Sequence, residues 1–346
     1  MTTPAISATT EPMESRSSKN SLWLVTGAAG FIGARMVERC NERGISVISV
    51  DELEAFSSRP EHAGLDFGTR VDYRDLWTWL AAHPEIRPSA VIHLGACSST
   101  TELDMEFLRK VNVEYSQKIW EFCTKHSIPL AYASSAATYG AGEQGYADDE
   151  SRMDRLKPLN PYGESKRLFD VWATEQEKKG NHPPSWSGHK FFNVYGFGER
   201  HKRGQASVVL HSYDQILASG GVRLFKSHRE GIAHGHQSRD FIHVGDVIDI
   251  LEFSISHPIR RGIYNVGTGK ARTFLDLTRA VFRALGRPEQ IEFIDTPEAI
   301  RERYQYFTQA TTEKLRAAGY TRPFTSLEEG VKKTVAQLEG FSRRRN

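Results

Sequence analysis

Short apolar runs alternate with amphipathic stretches over the first two thirds of the chain. Leu22 to Val25 reads as a buried strand and breaks into Gly27, Gly30 and Gly33 where a helical pattern begins. Gly44 fits the end of that helix, and Ile45 to Val50 reads as a second strand closing on Asp51 and Glu52. Further strands are expected at Ala90 to Leu94, at Leu130 to Ala133 and at Phe191 to Tyr195. This rhythm is that of right-handed strand-helix-strand units and predicts an α/β fold with a doubly wound parallel sheet. Beyond Tyr195 it changes. Gly196 to Ser238 is rich in Gly, His and charge around one helical pattern, Ala206 to Ala218. Phe241 to Val244 and Ile263 to Val266 return to strand character, and Pro288, Pro297 and Pro323 punctuate the helices that remain. The expected organisation is a disordered tail over 1–20, a dinucleotide-type domain over 21–195 to which 240–267 returns, and a smaller lobe from 196–239 and 268–346.

Composition narrows the partners. The 346 residues are 39% hydrophobic and 25% charged with a formal net charge of +2, which suits a soluble protein and provides no basic field for nucleic acid or an anionic membrane. A small substrate is the expected partner. Cys40, Cys97 and Cys123 show no metal-like pairing and suit a reducing compartment. No apolar run approaches the roughly 20 residues of a membrane span. Residues 1–20 lack the apolar core of a signal peptide, and Glu11 and Glu14 beside only Arg16 and Lys19 argue against organelle import. A cytoplasmic location is expected.

The chemistry gathers at the predicted strand ends. Gly27 and Gly30 let bare backbone approach a pyrophosphate, Gly33 lets helix and strand pack closely, and the helix N-terminus offers N–H groups to the anion. Asp51 and Glu52 stand where a ribose-binding carboxylate belongs. The small residues Gly95, Ala96, Cys97 and Ser98 would pass beside a cofactor lying across the strand ends. Ser135 arrives at another strand end, and Tyr162 and Lys166 fall four apart on one face of a predicted helix. Bringing a phenol from a pKa of about 10 to neutrality takes about 4 kcal/mol of phenolate stabilisation, which a neighbouring lysine can supply while also holding a ribose hydroxyl. Ser135 can hydrogen-bond the reacting oxygen. The set describes alcohol oxidation. His228, His234, His236 and His243 show no helical ligand spacing, and the chemistry calls for no metal.

The glycine loop, Ser135 and Tyr162 with Lys166 resemble the extended short-chain dehydrogenase/reductases of the nucleotide-sugar type. Gly-Ala-Cys-Ser-Ser-Thr-Thr-Glu (95–102), Tyr-Ala-Ser-Ser-Ala-Ala-Thr-Tyr-Gly (132–140), Phe-Asn-Val-Tyr-Gly (192–196) and Arg-Tyr-Gln-Tyr-Phe-Thr-Gln (303–309) resemble, more narrowly, the ADP-L-glycero-D-manno-heptose 6-epimerase family. The resemblance runs from about Leu22 to the C-terminus. It implies inversion of C6 of an ADP-heptose through a 6-ketone, with tightly held NADP and a homo-oligomer, a pentamer in the family. It also implies a second acid/base group, a lysine shortly after the Phe-Asn-Val-Tyr-Gly stretch, which is Lys202 here. The family's cofactor contacts fall on Phe31, Ile32, Asp51, Glu52, Leu94 to Ser98, Asn112, Lys166 and Val194. Its substrate contacts fall on Asn193, His211, Phe225, Lys226, Ser227, His228, Arg239 and Tyr304, with Arg239 suited to bidentate phosphate binding.

The chain departs from the pattern in three places. Gly204 replaces a serine two places after Lys202, the loop before Arg239 is longer, and the lysines that hold the NADP 2′-phosphate have no clear match. Arg59 is the possible stand-in. Asp51 would repel a 2′-phosphate, which keeps NAD as an alternative. On the same fold a UDP-sugar 4-epimerase or a 4,6-dehydratase is a rival. The dehydratase is disfavoured because Ser135 is followed by Ala136, Ala137 and Thr138 rather than acidic side chains. A non-catalytic NADP-binding sensor would not need Ser135, Tyr162 and Lys166 together.

Overall fold

A computed structural model describes residues 21–257, 259–301 and 304–344; the expected tail over 1–20 lies outside them. Twelve strands fall into three sheets among these residues. The strands are β1 (Leu22–Thr26), β2 (Ser46–Asp51), β3 (Thr69–Asp72), β4 (Ala90–His93), β5 (Leu130–Ser135), β6 (Trp186–Phe191), β7 (Asn193–Tyr195), β8 (Val222–Phe225), β9 (Ser238–His243), β10 (Gly262–Val266), β11 (Ala271–Thr273) and β12 (Ile291–Ile294). The main sheet is parallel throughout in the order β10-β6-β5-β4-β1-β2-β3, the doubly wound arrangement that the rhythm predicted. The order reverses between β1 and β4, and ligands of such sheets bind at that switch, outside the carboxyl ends of the strands.

The longer helices are α1 (Phe31–Arg43), α2 (Leu76–Ala82), α3 (Tyr115–Lys125), α4 (Pro161–Lys178), α5 (Val208–Ser219), α6 (Val244–Ser256), α7 (Phe274–Leu285) and α8 (Leu327–Arg343). Successive strand residues serve opposite faces, because side chains alternate with period two. Trp23 and Val25 pack toward Phe31, Met36 and Cys40 of α1 and Val247 and Leu251 of α6. Leu24 and Val91 pack toward Ile119, Trp120 and Cys123 of α3 and Phe169 and Ala173 of α4. A third cluster joins α5, α7 and α8 over β8, with Val209, Tyr213, Leu224, Val281, Val331 and Val335 buried. Local signals fix several helix ends. Gly44 closes α1 in the left-handed region, Asn160 caps α4 ahead of Pro161, and Thr273 and Asp276 form a capping box on α7.

The expected strand over 191–195 is two strands in different sheets. β6 spans Trp186–Phe191 in the main sheet, while β7 pairs with β9 in a three-stranded sheet. Ser187, Gly188, His189 and Lys190 conceal β6 from a hydropathy reading, yet all four are buried. Strand β8 likewise lies inside the Gly196–Ser238 stretch and pairs in parallel with β12. No helix among the described residues is long and apolar enough to cross a membrane.

Candidate active site

The turn between β1 and α1 is shaped by close backbone approach. Gly27 adopts φ +66°, and a Cβ there would stand 2.7 Å from the Gly95 nitrogen; a Cβ on Gly33 would stand 1.9 Å from the Gly27 carbonyl oxygen. Any side chain at either position would therefore force the loops apart. Gly30 caps α1 without a side-chain hydrogen bond, and the first turn carries no acidic residue. Its N–H groups at Phe31 and Ile32 are thus left to an anion. The residues present fit a dinucleotide. Asp51, at the end of β2, accepts from the Ala29 nitrogen on Oδ2 and the Glu52 nitrogen on Oδ1, each at 2.9 Å. Burial raises its carboxyl above the usual range, opposed by those bonds and by Arg59. The Arg59 guanidinium donates to the Ala29 carbonyl. Asp51, Arg59 and the glycine loop therefore form one corner.

The loop Leu94 to Ser98 runs beside this turn. Thr26 Oγ1 accepts from the Gly95 nitrogen at 3.0 Å. Asn112 lies in a π-helical turn, Arg109–Glu114, a geometry that recurs at functional sites. Its Oδ1 accepts from the Cys97 nitrogen at 2.8 Å, and its Nδ2 donates to the Cys97 carbonyl and to Ser165 Oγ, both at 2.9 Å. One buried amide thereby joins the cofactor-side loop to α4.

Helix α4 is fastened to β5 turn by turn. Ser135 is the polar group that holds the Tyr162 phenol down against burial, Lys166 Nζ donates to the Ala133 carbonyl at 2.9 Å, and Asp170 accepts from Ser134 Oγ at 2.6 Å and the Tyr132 hydroxyl at 3.1 Å. Asp170 also receives Lys190 Nζ at 2.6 Å, with both side chains fully buried, and Lys190 donates to Thr138 Oγ1 at 2.7 Å. Thr138 in turn donates to the Ser135 carbonyl.

The helical spacing of Tyr162 and Lys166 predicts that the lysine lowers the phenol. In this structure burial raises the phenol above its ordinary value, and Ser135 is the group that opposes the rise. The reason is geometric, since the Lys166 ammonium is turned to the Ala133 carbonyl. Burial brings Lys166 itself down to about 8, against the attraction of Asp170 and Cys97. Asp170 and Lys190 escaped the sequence reading. Asp170 carried a signal, because it continues the Tyr162 and Lys166 spacing by one more turn; Lys190 carried none.

Lys202 lies on a 3-10 turn, Arg200–Gln205. Its Nζ stands 3.4 Å from Glu199 Oε2 and 5.2 Å from the centroid of the Phe31 ring, at the start of α1. The loop is therefore folded toward the cofactor-side turn.

The residues matched to substrate contacts sit on and beside β7, α5, β8 and β9, and at Tyr304. Asn193 is exposed, Val194 half-buried, and His211 half-buried in the first turn of α5. Phe225 and Tyr304 meet edge to face with ring centroids 6.5 Å apart. Arg239 is buried between Phe274 and Tyr304, at 5.5 and 5.6 Å from the ring centroids. It donates to the carbonyls of Ser238 and Gln305, so part of its hydrogen-bonding capacity holds the fold. Lys226 Nζ pairs with Asp295 at 3.2 Å. His228 accepts from the Thr296 nitrogen at 3.2 Å, and the Ser227 nitrogen donates to His234 at 3.1 Å. The long loop before Arg239 is thus tied to Thr296 through His228 and closed on itself through His234.

A model of the NAD dependent epimerase/dehydratase family matches residues 23–267. The chain is 47% identical to the ADP-L-glycero-D-manno-heptose-6-epimerase of Fusobacterium nucleatum subsp. nucleatum, over 90% of this chain and 96% of that one. The fold matches the crystal structure of Helicobacter pylori ADP-L-glycero-D-manno-heptose-6-epimerase with a TM-score of 0.76 and 25% identity, covering 94% of this chain and 98% of that one. It matches Thermus thermophilus UDP-glucose 4-epimerase in complex with NAD with a TM-score of 0.75 and 28% identity, covering 92% and 99%. Glycine turn, Ser135, Tyr162 and Lys166 stand at the strand ends of the matched region, and the chain belongs to the NAD dependent epimerase/dehydratase family, in the branch of the ADP-L-glycero-D-manno-heptose-6-epimerases.

Proposed function

We propose that the protein inverts C6 of ADP-D-glycero-D-manno-heptose to give the L-glycero epimer through a 6-keto intermediate. The observation that carries the reading is the convergence of Ser135 at the end of β5 with Tyr162, whose phenol it holds down against burial, on a helix whose next turn brings Lys166 under the same strand end. Membership of the family brings a nicotinamide cofactor, which when bound takes up and returns the hydrogen at C6. Tyr162 removes the proton of the C6 hydroxyl for one epimer and returns it, Ser135 holds the reacting oxygen, and the Lys166 ammonium holds the ribose. Return of hydrogen to the opposite face requires the ketone to turn, and a second group must then serve the oxygen. Lys202 is that group. Glycine-loop N–H groups bind the pyrophosphate, Leu94 to Ser98 with Asn112 and Val194 flank the cofactor, and Arg239 with Tyr304, Phe225 to His228, Asn193 and His211 receive the ADP-sugar.

The cofactor is NADP, with Arg59 in place of the missing lysines. Arg59 beside Asp51, and a carboxyl raised by burial, temper the repulsion that Asp51 would otherwise exert on a 2′-phosphate. Two measurements test the reading. Denaturing the pure protein should release NADP, and recovery of NAD alone would overturn the cofactor assignment. Purified ADP-heptose should be interconverted between its C6 epimers, with loss of about 10²- to 10⁴-fold in Lys202→Met. Inversion of C4 in a UDP-hexose without action on the heptose would favour the 4-epimerase reading instead.

A further inference from the structure

Glu199 is a carboxylate for which the reading above has no use. Its side chain is fully buried, and it sits on the loop that carries Lys202. Oε1 accepts from Ser207 Oγ at 2.6 Å and from the Gly196 nitrogen at 3.3 Å; Oε2 accepts from the Ser207 nitrogen at 2.9 Å. These three bonds tie both ends of the loop, the end of β7 and the cap of α5, to one side chain. The fourth partner is Lys202 Nζ, at 3.4 Å on Oε2. A buried carboxylate without countercharge is costly, so Glu199 has reason to hold the lysine.

The loop is constrained on its other side as well. The Arg200 nitrogen donates to Glu61 Oε2 at 3.1 Å. Arg203, next after Lys202, is at φ +49°, a conformation non-glycine residues avoid and keep only when the surroundings impose it. Lysine has a long flexible stem, and on an exposed turn its ammonium would sweep a wide volume. Here the stem starts from a fixed backbone and its end is held by a fixed oxygen.

We propose that Glu199 is a positioning residue for Lys202, fixing where the ammonium reaches so that it meets the substrate oxygen on the face Tyr162 does not serve. The proposal rests on the reading of Lys202 as the second acid/base group. Misplacing a reacting group by about 1 Å can cost on the order of 10²-fold, which sets the expected size of the effect.

The test compares Glu199→Gln, Lys202→Met and the double variant in two reactions of the holoprotein. One is epimerisation of the ADP-heptose. The other is disproportionation of an ADP-sugar carrying an aldehyde at C6, which yields acid and alcohol along the same hydrogen-transfer path without a stereocentre to invert and can run on Tyr162. Glu199→Gln should slow epimerisation by about 10- to 100-fold and disproportionation by much less, and the double variant should be no slower than Lys202→Met. A general loss of loop structure would lower both reactions together and add to the Lys202 effect, overturning the proposal. Wild-type epimerisation in Glu199→Gln beside a dead Lys202→Met would overturn the proposal alone. Wild-type epimerisation in Lys202→Met would overturn the reading of Lys202, and the proposal with it. Should Glu199→Gln not fold, Glu199→Asp retains the charge and draws it back from Lys202; an intermediate loss confined to epimerisation supports the proposal, and an equal loss in both reactions overturns it.

Discussion

The two groups assigned to the two faces of the ketone are held in different ways. Tyr162 stands on an 18-residue helix fastened to β5 and β6 by Ala133, Ser134 and the buried Asp170 and Lys190 pair. Lys202 stands on a short turn pinned at separate points: Glu199 holds its two ends and reaches the ammonium, and Glu61 and Asp214 hold Arg200. One side of the site gets its precision from a ladder of contacts along a helix, and the other from separate anchors on a loop, of which Glu199 is the one that accepts from the lysine. The contrast follows from the sheet. A helix packed on a parallel strand inherits the strand's rigidity, whereas a loop that leaves the sheet must make its own anchor.

The largest effect is expected where the ladder meets the chemistry. Tyr162→Phe removes the hydroxyl and leaves the packing, so epimerisation should fall by about 10²- to 10⁴-fold with the melting temperature little changed. A variant that still epimerised at the wild-type rate would take Tyr162 out of the reaction and dissolve the contrast.

Next in size is the ladder's deepest rung. Asp170→Asn leaves the Lys190 ammonium buried without its countercharge, and removal of one partner of such a pair costs about 3–5 kcal/mol. Denaturant unfolding should show that loss, with recovery when Lys190→Met is added to neutralise the site. If Asp170→Asn unfolds no more easily than the parent, the rigidity of α4 has another source.

The smallest effect is on the ionisation of Lys166. Burial lowers its ammonium to about 8, while in the unfolded chain the charge would persist to about 10.4. Below pH 8 the charged group is therefore a cost to folding, and this cost is relieved as pH rises from about 8 to 10. Cofactor retention should move the other way, since the ribose loses its ammonium partner over the same interval, by up to about tenfold per pH unit. Titrating nucleotide release and stability together, in the wild type and in Lys166→Met, checks both signs. A pH-independent release in the wild type would remove Lys166 from the ribose.

Much of the site was legible in order along the chain. Gly27, Gly30 and Gly33 could be read because the turn needs them at fixed spacing within a dozen residues. Tyr162 and Lys166 could be read because a helix brings residues four apart onto one face. Strand β6 was not legible, for its buried residues are Ser187, Gly188, His189 and Lys190, and hydropathy does not recognise a buried lysine. What justifies that lysine is Asp170, 20 residues earlier, and no local pattern connects them.

The sequence by itself determined the parallel α/β fold, the glycine turn, the helical pair Tyr162 and Lys166, and through resemblance the family. Each depends on near neighbours, where propensity, periodicity and backbone sterics act. Only the tertiary structure decided that Lys166 turns to Ala133, that Ser135 rather than Lys166 opposes the burial of the Tyr162 phenol, and that Glu199 takes hold of Lys202. These are choices of partner among polar groups brought together by packing. Burial makes each choice costly to leave unmade, and burial is a property of the whole fold.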